Sequence, residues 1–314
     1  MTCPTTGIAL IFTGALVCAH AQWLNYPTPG TPRTRDGKPN LSAKAPGASN
    51  GKPDLSGVWQ TELSPPGEIE GLFGDVFKYA VPGDDPRTFS KYFLNILADF
   101  KPDQAPIKPE TAELARKNAE NARANPSAQC LPQGIVRDDL LSYNPFKIIQ
   151  TPGVIAILYE VDNMFRQVYA DGRKLPVDPQ PAWVGYSVGK WDGDTLVVDS
   201  AGFNDRSWLD AFGHPHSEAL RIQERFHRRD FGHMDLQLTI DDPKMYTRSF
   251  TIRVTEHGVS AGPFPLAPGG GHLVARALAD NLPLELRKRQ QNVEREPPQG
   301  SGGMELLGDR DEAH

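Results

Sequence analysis

Apolar and polar residues alternate with a period of two along nine short stretches of this chain. They are Leu55–Glu62, Phe146–Thr151, Val154–Glu160, Met164–Ala170, Val184–Trp191, Thr195–Ser200, Leu220–Arg229, Met234–Asp241 and Tyr246–Val254. Successive side chains of a strand point to opposite faces, so each stretch predicts a strand with one buried face. Turn-forming sequences separate several of them, among them Thr151-Pro152-Gly153, Asp171-Gly172, Asp192-Gly193 and Phe231-Gly232. The pattern predicts a mainly β fold, an antiparallel up-and-down barrel, because closure removes exposed sheet edges. Between the first two strands the alternation lapses. Phe89, Phe93, Ile96, Leu97 and Phe100 recur at helical spacing and predict an amphipathic helix ending before Pro102. A second helix, from roughly Pro109 to Ala124, carries mainly alanines on its apolar side. Both belong to a short helical insertion at about residues 64–129, either covering one end or face of the barrel or standing as a small subdomain.

The flanks read differently. Residues 1–21 contain an apolar run from Gly7 to Ala19, followed by Ala19-His20-Ala21, and predict a cleaved secretory signal peptide. Residues 22–54 are rich in Pro, Gly, Ser and Lys and form an extended linker. Within it DGKPNLSA (36–43) recurs as NGKPDLSG (50–57), a duplicated turn leading into the first strand. Residues 55–255 make the barrel domain, and 256–314 read as a flexible C-terminal tail. No strand pattern in that tail supplies a further strand, so the partner that closes the last edge of the barrel is not assigned.

A length of 314 residues allows a sizeable core. The net charge of -6, from 33 basic and 39 acidic side chains, and the absence of a basic stripe before the tail argue against a nucleic-acid partner. The signal segment places the protein outside the cytoplasm, secreted or periplasmic, with no transmembrane segment in the mature chain. Cleavage would remove Cys3 and Cys18 and leave Cys130 alone, expected to be buried or paired between molecules, so no internal disulfide supports the fold.

Two resemblances follow from particular residues. Gly57-x-Trp59 at the start of the first strand, ahead of an antiparallel meander, resembles the lipocalin and calycin barrels. The phrases PFKIIQTPGVIAILYE, FRQVYADGRKLP, GYSVGKWDGDTLVVDSAGFNDRSWLD and ERFHRRDFGHMDLQLTIDDPKMYT resemble a group of secreted bacterial proteins of unknown function, over roughly Asp54 to Val254. The first resemblance implies a ligand-holding barrel; the second implies no activity.

Candidate chemistry concentrates in residues 202–226, GFNDRSWLDAFGHPHSEALRIQERF. In Leu220–Arg229 the apolar phase of Leu220, Ile222 and Phe226 carries Glu224 inward and Arg225 and His227 outward. The phase of Tyr246, Phe250, Ile252 and Val254 carries Arg248 inward, and Glu224 and Arg248 then pair with each other, with another polar group or with a ligand. His214-Pro215-His216 in extended geometry sends two imidazoles to one side, so these residues could hold zinc, copper or iron with Asp210, Glu218 or Glu224 as a third ligand. Without a metal, His214 or His216 could act as general base, Asp210 fixing its tautomer, while Arg206 and Asn204 stabilise an oxyanion or bind a carboxylate. Asp138-Asp139 reads as a helix start or solvated turn, and no serine lies in a G-x-S-x-G elbow. The expectation is a secreted small-molecule enzyme using proton-transfer chemistry, a lyase, isomerase or hydrolase, in a barrel cavity. Its partner is a small, partly apolar molecule. The alternative is a non-catalytic periplasmic or extracellular binding protein in which Trp208, Trp191 and Tyr186 line the site; a third reading is a structural envelope protein.

Overall fold

The computed structural model describes residues 30–73, 89–142 and 144–258, and its nine strands close into a barrel in chain order. They are β1 (Gly57–Thr61), β2 (Phe146–Thr151), β3 (Val154–Tyr159), β4 (Phe165–Tyr169), β5 (Tyr186–Asp192), β6 (Thr195–Ala201), β7 (Arg221–Arg228), β8 (His233–Asp241) and β9 (Phe250–Gly258). The first eight follow the predicted alternation closely. The ninth starts later than predicted and runs on to Gly258, into residues assigned to the tail. It closes the barrel against β1 through Trp59↔Gly258, Gln60↔His257 and Thr61↔Glu256, which supplies the partner that the sequence leaves unassigned for the last edge. The signal segment and residues 259–314 lie outside the described residues.

Strand direction departs from a uniform meander at one place. β4 and β5 run parallel, with Val168 opposite Ser187 and Tyr169 opposite Val188. Parallel neighbours need a long crossover instead of a tight turn, and residues 170–185 supply it. The barrel is therefore mixed, and the purely antiparallel up-and-down expectation is corrected.

Four helices accompany the strands: α1 (Glu68–Phe73), α2 (Lys91–Leu94), α3 (Pro109–Glu120) and α4 (Ile135–Leu140). α3 lies where its pattern predicts, with Pro at its start and Thr111 and Ala115 buried. The helix expected to run from Phe89 to Phe100 stops after one turn. The Ile96 amide donates to Asp210 Oδ2 at 2.7 Å and the Leu97 amide to Asn95 Oδ1 at 2.8 Å. The Phe93 and Leu94 carbonyls accept from the Ala211 and Phe212 amides at 2.8 and 3.1 Å. These bonds to the 202–220 loop take the place of further helical ones. The apolar side chains are buried as their spacing implies, Phe93 and Ile96 almost completely.

All six residues of α4 are buried, including Arg137, Asp138 and Asp139. Its N-cap, Gly134, packs against Ser207 of the β6–β7 loop, while Asp139 accepts a hydrogen bond from Tyr159 of β3 and its carbonyl one from Thr61 of β1. The helix thus enters the barrel from the end that carries the 202–220 loop. Asp138 and Asp139, expected at a helix start or in a solvated turn, lie in this short helix, buried inside the barrel and away from solvent.

The other end is closed by the Gly57-x-Trp59 segment and the duplicated turn. Trp59 is buried, its Nε1 donating to the Leu55 carbonyl at 2.9 Å. The Arg228 guanidinium lies 4.8 Å from the centre of its ring and donates to the Phe231 carbonyl at 2.6 Å and to those of Asp54 and Ser56. The two copies of the turn have matching hydrogen bonds. Thr34 donates to Lys38 and Asn40 to Pro32, as Ala48 does to Lys52 and Asp54 to Pro46. The second copy leads into β1, as expected. The first docks on the β7–β8 turn, where the Gly232 amide donates to the Leu41 carbonyl at 2.7 Å. A Cβ at Gly232 would sit 2.5 Å from the Leu41 Cβ, so Gly232→Ala is expected to lift the arm and cost about 1–3 kcal/mol. Limited proteolysis checks this: cleavage within residues 30–54 should speed up, and an unchanged cleavage rate would show that the arm is not held there.

Candidate functional site

The 202–220 loop folds back on itself through a single antiparallel bridge, Trp208↔Pro215, which sets Ser207 opposite His216 and Leu209 opposite His214. The Leu209 amide donates to the His214 carbonyl at 2.8 Å. Asn204 prepares the turn: its Oδ1 accepts from the Arg206 amide at 3.1 Å, a local side-chain bond typical of asparagine. Trp208 is buried, and the exposed Arg206 lays its guanidinium 5.0 Å above the Trp183 ring.

Asp210 is fully buried and serves three donors. It accepts from the Ile96 amide at 2.7 Å, from the His214 amide at 3.1 Å and from His214 Nδ1 at 2.5 Å. His214 is held with Nδ1 on the carboxylate, and no hydrogen bond among the described residues engages its Nε2. Burial disfavours the charged imidazole, but the Asp210 charge and hydrogen bond outweigh it and raise the pKa above the ordinary value. The side chain retains 12% exposure.

His216 is in a different state. Its Nε2 lies 2.8 Å from Ser207 Oγ and its Nδ1 3.2 Å from the Ser217 carbonyl oxygen. Burial lowers its pKa, and the Ser217 carbonyl only partly offsets this, so the ring is neutral at pH 7. The segment is pinned from the β8–β9 connection: Asp242 accepts from the Ser217 amide at 2.6 Å and hydroxyl at 2.9 Å, and the Tyr246 hydroxyl donates to the Pro215 carbonyl at 2.9 Å. The two imidazoles are therefore engaged separately. Of the third ligands expected for a metal, Asp210 serves His214, Glu218 is exposed and Glu224 lies inside the barrel. Among the described residues no group of three or more His, Cys, Asp or Glu side chains is placed to hold a metal ion.

Glu224 faces inward with Ile222 and Phe226, as the alternation predicts, but its partner is not Arg248. Arg248 precedes β9, is exposed, and stacks 5.5 Å from the Phe100 ring; the strand pattern had been started four residues too early. The partner is Arg166 of β4, which donates to both Glu224 oxygens, through Nη1 at 3.1 Å and through Nη2. Arg166 Nη1 also lies 3.8 Å from Asp139 Oδ2, whose other oxygen accepts from the Tyr159 hydroxyl at 2.7 Å. Glu256 of β9 joins through Thr61 Oγ1 at 3.1 Å. Burial, and then the Glu224 charge, push the Asp139 carboxyl well above its usual range, and burial with the Asp139 charge does the same to Glu256. Asp138 is raised by burial and by the charges of Asp162 and Asp139, and neither of its oxygens accepts a hydrogen bond from the described residues.

Of the aromatic residues expected to line one site, Trp191 packs against the core, whereas Tyr186 stacks on Tyr169 at 5.2 Å, out of phase with the buried Ser187 and Gly189. Trp208, Trp191 and Tyr186 do not converge. Cys130 is exposed, at φ 56° after the 3-10 turn Pro126–Gln129, so of the two expectations, a buried thiol or one paired between molecules, the buried one is corrected. Arg166, Tyr159 and Asp139 were missed as polar members of the interior. Arg166 stands in phase with Val168 and Tyr159 with Ile155 and Ile157, so the alternation did carry a signal for two of them.

No family model matches this chain, and no curated protein or solved structure matches it either.

Proposed function

We propose that the protein is a small-molecule enzyme, exported from the cytoplasm, that works by proton transfer at the loop-bearing end of the barrel. The observation that carries this reading is the Asp210–His214 pair. A buried carboxylate, itself fixed by two backbone amides, orients an imidazole whose Nε2 is left for a reacting group. A base needs a fixed tautomer and an orienting partner, and His214 has both in Asp210. Arg206, exposed beside Trp183, would bind an anionic part of the substrate, and the apolar side chains around the loop suit a small, partly apolar molecule.

Screening small carbonyl compounds in D2O by NMR tests the reading, since a proton-transfer enzyme exchanges or converts them. His214→Gln should lower turnover by roughly 10²–10⁴-fold, and Asp210→Asn should bring the His214 pKa down toward the ordinary value. Turnover that is equal in wild type and His214→Gln would remove His214 from the chemistry. Because its pKa is raised, His214 adds stability below about pH 6.5, and that contribution is lost as pH rises through the folded value.

A further inference from the structure

Ser207 and His216 face each other across the Trp208↔Pro215 bridge, Oγ 2.8 Å from Nε2. The group facing Nδ1 is the Ser217 carbonyl, which can only accept, so the ring proton sits on Nδ1 and Nε2 presents its lone pair. The hydroxyl therefore donates to Nε2. That is the polarity a serine nucleophile needs from its base, and the third group that orients the base is a backbone carbonyl whose residue is locked by Asp242. Gly134 comes close to the hydroxyl, and a Cβ there would lie 2.7 Å from Ser207 Oγ, so only glycine lets the pair sit at this point of the fold.

A cavity of about 10 Å³ adjoins the pair, walled by Phe203, Trp208, Leu220 and Ile222. Its volume suits one water-sized group. Among the residues that line it, Trp183 alone is more than marginally exposed, so solvent is reached past the indole that Arg206 covers.

We propose that Ser207 is a nucleophile, activated by His216, that accepts the acyl group of small carboxylic esters, with an acetyl methyl in the apolar cavity and the alcohol outside, at Trp183. Oγ attacks the ester carbonyl carbon while its proton passes to His216 Nε2. The bond from that carbon to the alcohol oxygen breaks, and the alcohol leaves with the proton. Water then adds to the acetyl-Ser207 carbonyl, giving a proton to Nε2; Oγ takes it back as acetic acid departs. Nothing is oxidised or reduced. The step uses neither His214 nor Asp210, so it stands or falls separately from the reading of that pair.

The test is covalent labelling of the full chain by a fluorophosphonate with small alkyl groups, read by intact mass and peptide mapping. One adduct is expected, on Ser207. It should be absent in Ser207→Ala, at least about 10²-fold slower in His216→Ala, and faster in Trp183→Ala, where the way in is widened. p-Nitrophenyl acetate should give a burst, with acetyl-Ser207 trapped by acid. The labelling rate should hold through neutral pH and fall only below about pH 6.5, as His216 becomes protonated. Circular dichroism would establish that each variant is folded. An unmodified Ser207 in both wild type and folded Trp183→Ala, whether or not another serine reacts, overturns the proposal.

Discussion

Replacing Arg166 with methionine is expected to lower the unfolding free energy by about 3–5 kcal/mol. The guanidinium is 1% exposed and its partner Glu224 is 0% exposed, so removal leaves a buried carboxylate without its cation. It also withdraws the positive charge next to Asp139, 3.8 Å away. Breaking a buried pair is costly because the surviving charge cannot recover its hydration, whereas replacing both members by apolar groups of similar size is often neutral. The double variant Arg166→Met/Glu224→Leu should therefore recover most of the loss. Urea unfolding at pH 7 measures both. A loss under about 1 kcal/mol for Arg166→Met would mean that water reaches this part of the barrel and that the pair is not buried in solution.

A second large effect is expected with pH. Asp138, Asp139 and Glu256 all have carboxyl pKa values raised well above the ordinary range, chiefly by burial. The groups around them are Arg137 of α4, Asp162, Tyr159 of β3, Arg166 of β4, Glu224 of β7 and Glu62 after β1. A raised carboxyl holds its proton more tightly when folded than when unfolded. Its contribution is fully present below the unfolded value, about pH 4, and is lost as pH rises toward the folded value. Unfolding free energy should thus fall with rising pH, by roughly 1.4 kcal/mol per unit for each carboxyl that the native state alone keeps protonated. Asp138→Asn removes one such group. The variant should lose about one such increment of slope and be more stable than wild type at pH 8. Urea midpoints from pH 5 to 9 decide the matter; parallel slopes for the two proteins would show that Asp138 is ionised in the native state.

Both effects arise from residues whose type the sequence displays but whose surroundings it does not. Glu224 was placed inward because Ile222 and Phe226 share its phase, and strand phase is a local property. Its partner is Arg166, the other polar group that this left open, and not Arg248, because the ninth strand does not begin at Tyr246. There the Asp242 side chain holds a turn through the Lys244 and Met245 amides, a bond that periodicity does not register. Asp138 and Asp139 look like surface residues when neighbouring carboxylates are judged by composition alone. Inside the barrel, Tyr159, Arg166 and Thr61 surround Asp139 from three different strands.

The candidate site divides in the same way. His214, His216 and Asp210 were legible as a cluster because they crowd one loop between two strands. What each does was not. Asp210 is fixed by the Ile96 amide from a segment more than a hundred residues earlier, and that same bond cuts short the helix that the spacing of Phe89, Phe93, Ile96, Leu97 and Phe100 predicts. Ser207 carried no motif at all; a one-bridge hairpin brought it to His216.

The chain by itself determined the strands, their buried faces, the duplicated turn and the loop that collects the polar side chains, since each depends on periodicities of two or on turn chemistry within a few residues. Tertiary structure alone decided the parallel β4–β5 pair, the closure of β9 on β1, the entry of α4 into the barrel and the pairing of Arg166 with Glu224. Those depend on which distant groups meet once water is excluded. A buried charge must find its partner wherever the closed sheet places one.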